Sequence, residues 1–462
     1  MLRKSAREIA VAVKSNSVDP IEVTDLFIAR IMKKNPTLNA LVHFDPEIAR
    51  NEALGVRRRM LAGEAMPLAG VPVVVKDNIW VKERKISQGS RLFADHIARE
   101  DAVAVARLRQ AGAVIIGIGN SPEFACKGVT NSPVHGATRH PLNADLTPGG
   151  SSGGNAAALA ADFAPIALGT DGGGSGRRPP AHTGTVGFKP SFGAIPYGPG
   201  FPEPFWGIAA IAPMGRSVDD VAVIFEAVVG PDVRDVESAA IEAGSSAAPG
   251  QLRVAFSPDL GLGAPIDVDV EAAIADGVSR LAKAGWTIER ADVHWPAGIG
   301  EMSIMPLQAA GLAALHGDAW RKTPDMFDPD IAAQIERGMS LTGADVGRAL
   351  EASALIKRTV VQFFGDYDLL ICPTAPCVAW PLSDLGPKRI GGVDVAPRGH
   401  AVFTPLFNHA LVPAISIPCG RGRDGLPVGL QIVGRRGRDR TVLAAAAEAE
   451  RILASINDYA RC

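Results

Sequence analysis

Aromatic residues are few: Phe, Trp and Tyr make up 5% of the 462 residues, and only three are tyrosines. A core with so few rings has to be filled by small and branched aliphatic side chains. Cysteine is scarce too. Cys126, Cys372, Cys377, Cys419 and Cys462 are an odd, scattered set, and the chain starts without a secretory apolar segment. This pattern argues against a disulfide framework and predicts reduced thiols in a cytoplasmic protein. Cys372 and Cys377 (CPTAPC) lack a second Cys/His pair, so they are expected as core or turn residues, and no metal is expected. No apolar run approaches the roughly 18 residues that span a bilayer. The formal net charge of −2 gives no basis for binding nucleic acid or an acidic membrane surface. The one short basic cluster, Arg435, Arg436, Arg438 and Arg440, reads as a solvated face.

What the chain has in quantity is glycine (50) and proline (35), which suits many tight turns between strands and helices. An apolar content of 47% with 21% charged residues is ordinary for a globular protein. The length allows two or three average domains, or one enzyme fold closed around a single sheet.

Helices are predicted over residues 3–14, 20–34 and 45–62, with Asp19-Pro20 supplying a cap and a first-turn proline. From Leu68 the texture changes to AGVPVVVKDN, a buried strand that ends on Lys76. A lysine there either snorkels to the surface, pairs with the adjacent Asp77, or serves a function. An amphipathic helix over 101–111 and a second buried strand over 113–118 follow. The sequence after that strand, GIGNSP, lacks a third glycine and has Pro122 where a helix should open, which excludes a dinucleotide fingerprint. Residues 120–143 read as a loop layer.

Two glycine-serine bursts stand out, Gly149 to Gly154 and Gly172 to Ser175, separated by a small-residue helix over 155–161 and a strand over 164–168. Strand-flanked glycines are poor linkers. They fit either an anion nest or an oxyanion hole beside a nucleophile, and the nest reading is weakened because the loop closes on Gly-Ser-Gly-Arg without the P-loop lysine.

The blocks GGSSGGNAA, GTDGGGSGRRPP and GTVGFKP, in this order, resemble the signature of the amidase signature family. So do GVPVVVKDN (70–78), NSPEFA (120–125), APMGRSVDDVAVIFEAVVG (212–230) and GLPVGLQIVG (425–434), so the resemblance covers nearly the whole chain. It implies an α/β fold with a mixed, mostly parallel twisted central sheet covered by helices on both faces. One domain would span 1–462, with a helical coat (1–62), a signature core (65–230), a variable substrate-capping region (231–395) and a return to the sheet (396–462).

The resemblance also implies a triad in which Ser175 is the nucleophile, Ser151, entered by a cis peptide, relays the proton, and Lys76 is the base. Burial would lower the amine's pKa enough for that role. The backbone N–H groups of Gly172, Gly173, Gly174 and Ser175 match the oxyanion hole; Ser152, Thr170, Asp171 and Arg177 match supporting positions. Gly150, Arg178, Tyr197, Phe205 and Trp206 are candidate substrate contacts, the last three from the aromatic, proline-rich segment 196–206. Arg178 fits either a substrate carboxylate or a surface salt bridge. Two departures from the family pattern are Gly176, where an Ile is usual, and Pro180; Gly176 is expected to widen or loosen the floor of the site.

Helical segments over 302–320 and 326–341 are expected as the cap, with Met302, Met305, Leu307, His316 and Trp320 as core positions. Strands over 252–256, 369–373 and 414–418 and helices over 270–283 and 441–453 complete the reading. The implied activity is hydrolysis of the C–N bond of an apolar or aryl acylamide without a cofactor. Alternatives are an aryl carbamate hydrolase and the A subunit of a tRNA-dependent amidotransferase; a non-catalytic binding protein is a further possibility. The expected partner is a small-molecule amide or carbamate, with the chain a monomer or homodimer and neither nucleic acid nor membrane bound.

Overall fold

The computed structural model describes residues 1–240 and 251–457; Cys462 lies outside them. One sheet of eleven strands organises the molecule. In chain order they are β1 (Leu41–His43), β2 (Pro72–Lys76), β3 (Val114–Gly119), β4 (Ile166–Asp171), β5 (Val186–Lys189) and β6 (Ala210–Gly215). β7 (Val254–Phe256), β8 (Ile288–Arg290), β9 (Leu369–Pro373), β10 (Ala414–Arg421) and β11 (Pro427–Gly434) follow. Their spatial order is β1-β3-β2-β4-β6-β5-β10-β11-β9-β7-β8.

The sheet is mixed and flanked by helices, as expected. Its parallel pairing falls in two blocks, β3-β2-β4 and β9-β7-β8. The run from β4 through β6, β5, β10 and β11 to β9 is antiparallel. Connection length accounts for this: β10 and β11 are joined by the tight turn Arg423–Gly425, which enforces an antiparallel pair. The step from β2 to β3 carries the helix Val103–Gln110, a crossover that returns the chain parallel.

Local sequence explains the elements nearest the site. Val73, Val74 and Val75 are fully buried on both faces of the sheet, so β2 reads as a continuous apolar run without alternation. The helix Gly153–Ala160 has to be built of small residues, because a Cβ at Gly154 would lie 2.3 Å from the Asn120 nitrogen. The three N-terminal helices (Ala6–Lys14, Pro20–Leu38, Pro46–Leu61) start at Ser5, Asp19 and Asp45, whose side chains accept first-turn N–H groups. Residues 343–366, for which the sequence reading offers no element, form a 24-residue helix packed on the cap helix Glu301–Lys322. Cys126, Cys372, Cys377 and Cys419 are buried free thiols, as core residues should be. No helix among the described residues is long and apolar enough to cross a membrane.

Candidate active site

β2 and β4 are neighbours, and their C-terminal ends bring Lys76 beside Thr170 and the loop that follows Asp171. Lys76 is fully buried. Its Nζ lies 2.7 Å from Ser151 Oγ and donates to Thr170 Oγ1 at 2.9 Å. Asn78 Nδ2 donates to the same Thr170 oxygen at 3.0 Å. The surface and Asp77-pairing readings of Lys76 are therefore both overturned. Asp77 turns away and accepts from Ser87 N, Ser87 Oγ and Gly89 N. Burial lowers the Lys76 pKa to about 7, opposed by the charges of Asp171 and Asp77.

Ser151 is entered by a cis peptide from Gly150. Gly150 has no room for a side chain: a Cβ would lie 2.7 Å from the Val129 carbonyl, so its part here is close packing against that backbone. Ser152, also buried, donates to the Thr170 carbonyl at 3.2 Å and links the two glycine-serine loops. Ser175 is 7% exposed, and its Oγ makes no hydrogen bond to Ser151 or to any other group among the described residues.

Behind Ser175 stands a saturated network. Asp171 accepts from Arg177 Nε at 2.8 Å and Nη2 at 3.0 Å, from Gly174 N at 2.6 Å, from Gly176 N at 3.1 Å and from Asn408 Nδ2 at 2.9 Å. Burial alone would raise the Asp171 carboxyl, but Arg177, Lys189 and Asn408 hold it well below the usual carboxylate range. The remaining Arg177 donors go to Asn408 Oδ1, Gln431 Oε1 and the Thr404 carbonyl. Asn408 and Gln431 went unpredicted. Gln431 sits in the GLPVGLQIVG landmark, where a polar residue in an apolar strand was the available signal; Asn408 gave none.

This network corrects two expectations. The Gly174 N–H is committed to Asp171, so the loop N–H groups left without an acceptor among the described residues are those of Gly172, Gly173 and Ser175. Gly174 is required for another reason: its φ is +113°, and a Cβ there would lie 2.1 Å from Thr404 Oγ1. Nor does Gly176 widen the site. A Cβ at that position would sit 2.5 Å from Ala212 Cβ, so the space is already closed by β6.

A cleft opens in front of the loop, lined by Gly172, Gly173, Phe205, Glu301, Met305 and Leu307, among others. A larger surface hollow around Glu52, Arg59, Arg84 and Arg109 lies among other elements and holds none of these groups. Phe205 lies against Gly172. Trp206 does not line the cleft: it is 53% exposed, and its Nε1 donates to the Leu307 carbonyl, tying the loop to the cap. Tyr197 is half-buried outside the cleft lining. Leu307 is buried as expected and lines the cleft with the partly buried Met305, whereas Met302, also expected as core, is exposed. His316 stacks on Phe124 at 3.9 Å, and Trp320 packs in the same apolar cluster.

Residues 123–127 form one of the segments that hold the cap. Glu123 accepts the Asp328 N–H, Lys127 pairs with Asp328 at 2.7 Å and Asp330 at 3.1 Å, and Gln308 and Gln334 both donate to the Cys126 carbonyl. Burial raises the Glu123 pKa to about 7.

Arg178, expected in contact with substrate or in a surface salt bridge, is on no surface. It is 3% exposed, in the short helix Arg178–Thr183.

The amidase family matches residues 22–443. The chain belongs to the amidase signature family. It is an amidase, a hydrolase acting on carbon–nitrogen bonds. It is 36% identical to an acylamidase of Rhodococcus erythropolis, with 97% of this chain and 95% of that protein covered. It is 33% identical to the A subunit of the glutamyl-tRNA(Gln) amidotransferase of Symbiobacterium thermophilum, with 93% and 92% covered. Among solved amidase signature structures, a bacterial aryl acylamidase superposes with a TM-score of 0.89 at 27% identity over 98% of both chains.

Proposed function

We propose that this amidase cleaves a small apolar or aryl acylamide through an acyl-enzyme on Ser175. The observation that carries the reading is Lys76, a fully buried amine with its pKa lowered to about 7 and its Nζ 2.7 Å from Ser151 Oγ. At neutral pH about half of such amines are unprotonated and can accept a proton.

In the proposed sequence Ser175 Oγ attacks the amide carbonyl carbon, and its proton passes through the Ser151 hydroxyl to Lys76. The Ser175–Ser151 contact that this needs tightens when substrate is bound. Negative charge on the former carbonyl oxygen is met by the N–H groups of Gly172, Gly173 and Ser175; one such donor is worth about 3 kcal/mol of barrier. The C–N bond then breaks as the amine takes the proton back along the relay. Water repeats the attack on the acyl carbon, gives its proton to the same relay, and releases the acid with Ser175 restored.

Phe205, Ile304, Met305 and Leu307 line the cleft and favour an apolar acyl or aryl group. An aryl carbamate would be cut by the same steps. The 33% identity to the A chain of the amidotransferase favours, as a second reading, glutamine as the amide, with the ammonia passed on to charged tRNA. A panel of anilides, primary amides including glutamine, short peptides and aryl carbamates separates these readings. The wild type is expected to cut anilides best, and Ser175→Ala to lose about 10⁴-fold or more of that activity. Full activity in the alanine variant would remove Ser175 as nucleophile; glutamine as the best substrate would favour the amidotransferase reading.

A further inference from the structure

The cleft in front of the nucleophile loop is lined mainly by apolar side chains, Phe205, Ile208, Ile304, Met305 and Leu307 among them, and the amide of Gln308 stands in the same lining. Gln308 belongs to the cap helix Glu301–Lys322, four residues after Ile304 and three after Met305. That spacing stacks the three side chains on one side of the helix, so the apolar wall ends one turn on in a polar group.

What Gln308 offers is fixed by its neighbours. Its Nε2 donates to the Cys126 carbonyl at 3.3 Å and to Gln334 Oε1 at 2.7 Å, which uses both hydrogens of that nitrogen. Gln334 Nε2 donates to the same Cys126 carbonyl at 3.3 Å. A carbonyl only accepts, so turning over either amide would set oxygen against oxygen, and the pair is locked in one orientation. Oε1 is the polar atom that Gln308 has left, and it accepts no hydrogen bond among the described residues. Gln308 is half-buried, and this oxygen is not sealed inside the protein. An apolar substrate that fills the cleft would strip water from Oε1 and put nothing in its place, whereas a substrate with an N–H at this point restores the bond. The carboxylate in the lining, Glu301, accepts from Arg398 Nε at 2.6 Å, so the cleft holds no unmatched negative charge that would draw an ammonium. An uncharged donor is the one that fits.

We propose that Gln308 sets specificity by taking, on Oε1, an uncharged N–H of the substrate outside the bond that is cut, and that Gln334 is the positioning residue that keeps this oxygen turned to the cleft. The proposal rests on the amidase reading above and narrows it from simple apolar acylamides to amides that carry a second N–H, on an acylamino or an arylamino group. The scissile nitrogen has to face the Ser151 relay on the catalytic side; Gln308 stands on the cap, so the N–H it meets is another one. A site built to hydrogen-bond one polar group rejects an analogue without it far more sharply than apolar contacts separate homologues, which is why one amide in an apolar cleft can decide the substrate class.

The test uses two pairs of anilides that differ by one N–H. On the acyl side, N-acetylglycine anilide is compared with levulinic anilide, in which CH2 replaces the second N–H. On the amine side, the butyric monoamide of 1,3-diaminobenzene is compared with that of 3-methylaniline. In one pair the N–H member is expected to lead in kcat/KM by about 5- to 100-fold, the effect of leaving one acceptor unpaired, and that pair reports which side Gln308 serves. Gln308→Met is expected to bring the ratio close to one; should it not fold, Gln308→Asn, whose shorter side chain withdraws the oxygen, serves instead. Gln334→Met frees the Gln308 amide to turn over and is expected to lower the ratio part of the way. Each ratio is taken within one protein, so a general loss of activity cancels. Apart from turnover, the same pairs are titrated into Ser175→Ala, where the N–H member should have the lower Kd and adding Gln308→Met should remove the difference. Ratios near one for both pairs, in kcat/KM and in Kd, would overturn the subsite and leave the amidase reading standing; a ratio that survives Gln308→Met would overturn Gln308 as its source. If no anilide is cut, the acylamidase reading fails and the Kd ratio alone decides the subsite.

Discussion

Arg177 and Arg178 are adjacent in the chain and both buried, yet the fold treats them in opposite ways. Arg177 directs its donors to Asp171, Asn408, Gln431 and the Thr404 carbonyl. Arg178 leaves Nε and Nη1 without an acceptor among the described residues. Burial is common to the two, so burial alone does not tell a stabilising arginine from a costly one. Saturation does: a guanidinium whose donors are all engaged braces a loop, whereas one left with bare donors is a standing cost to the fold.

The largest expected effect on this contrast comes from Arg177→Ala. It leaves Asp171 as a buried carboxylate without its cation, and the loss of stability in urea unfolding should be about 3–5 kcal/mol. Arg178→Met removes an unpaired buried charge, so its stability should equal or exceed that of the wild type. Similar losses for both variants would erase the distinction. Asn408→Ala is intermediate: it takes one acceptor from Arg177 and two donor contacts from Asp171, and about 1–3 kcal/mol should be lost.

The smallest effect is in the pH profile. Burial lowers the Lys76 pKa to about 7, so the unprotonated amine is gained as pH rises through that value. Then kcat/KM should climb along the same limb and gain about twofold between pH 7 and pH 8. The sign for stability is the same. From about 7 to the ordinary 10.5 the unfolded chain holds a proton on Lys76 that the folded chain lacks, so this group's contribution to stability increases with pH across that window. A profile flat across pH 6 to 9 would remove Lys76 as the base.

Local patterns carried much of this fold. The valine run of β2, the capped N-terminal helices and the glycine-serine bursts are short-range signals, and each forms where its residues predict. Lys76 was ambiguous on its own, because a lysine ending a strand is equally a snorkelling one; only the meeting of β2 with β4 and the Ser151 loop decides it. What was not legible depends on distant pairing. Asn408 reaches Asp171 across 237 positions, and the Gly174 N–H is occupied by a carboxylate three residues back, which no glycine count reveals. The floor under Gly176 is set by Ala212 on another strand. The antiparallel centre of the sheet likewise follows from connections such as the β10–β11 turn, which the resemblance alone did not resolve.

The way the cap is hung has a practical side. Its polar seams with the rest of the molecule include Asp328 and Asp330 on Glu123 and Lys127, Gln308 and Gln334 on the Cys126 carbonyl, Glu301 on Arg398, Arg91 on the Asp325 carbonyl, and the Trp206 indole on the Leu307 carbonyl. Redesign of substrate range can treat residues 301–340 as an exchangeable cassette. A graft that keeps those fasteners is expected to leave the Lys76–Ser151 contact in place.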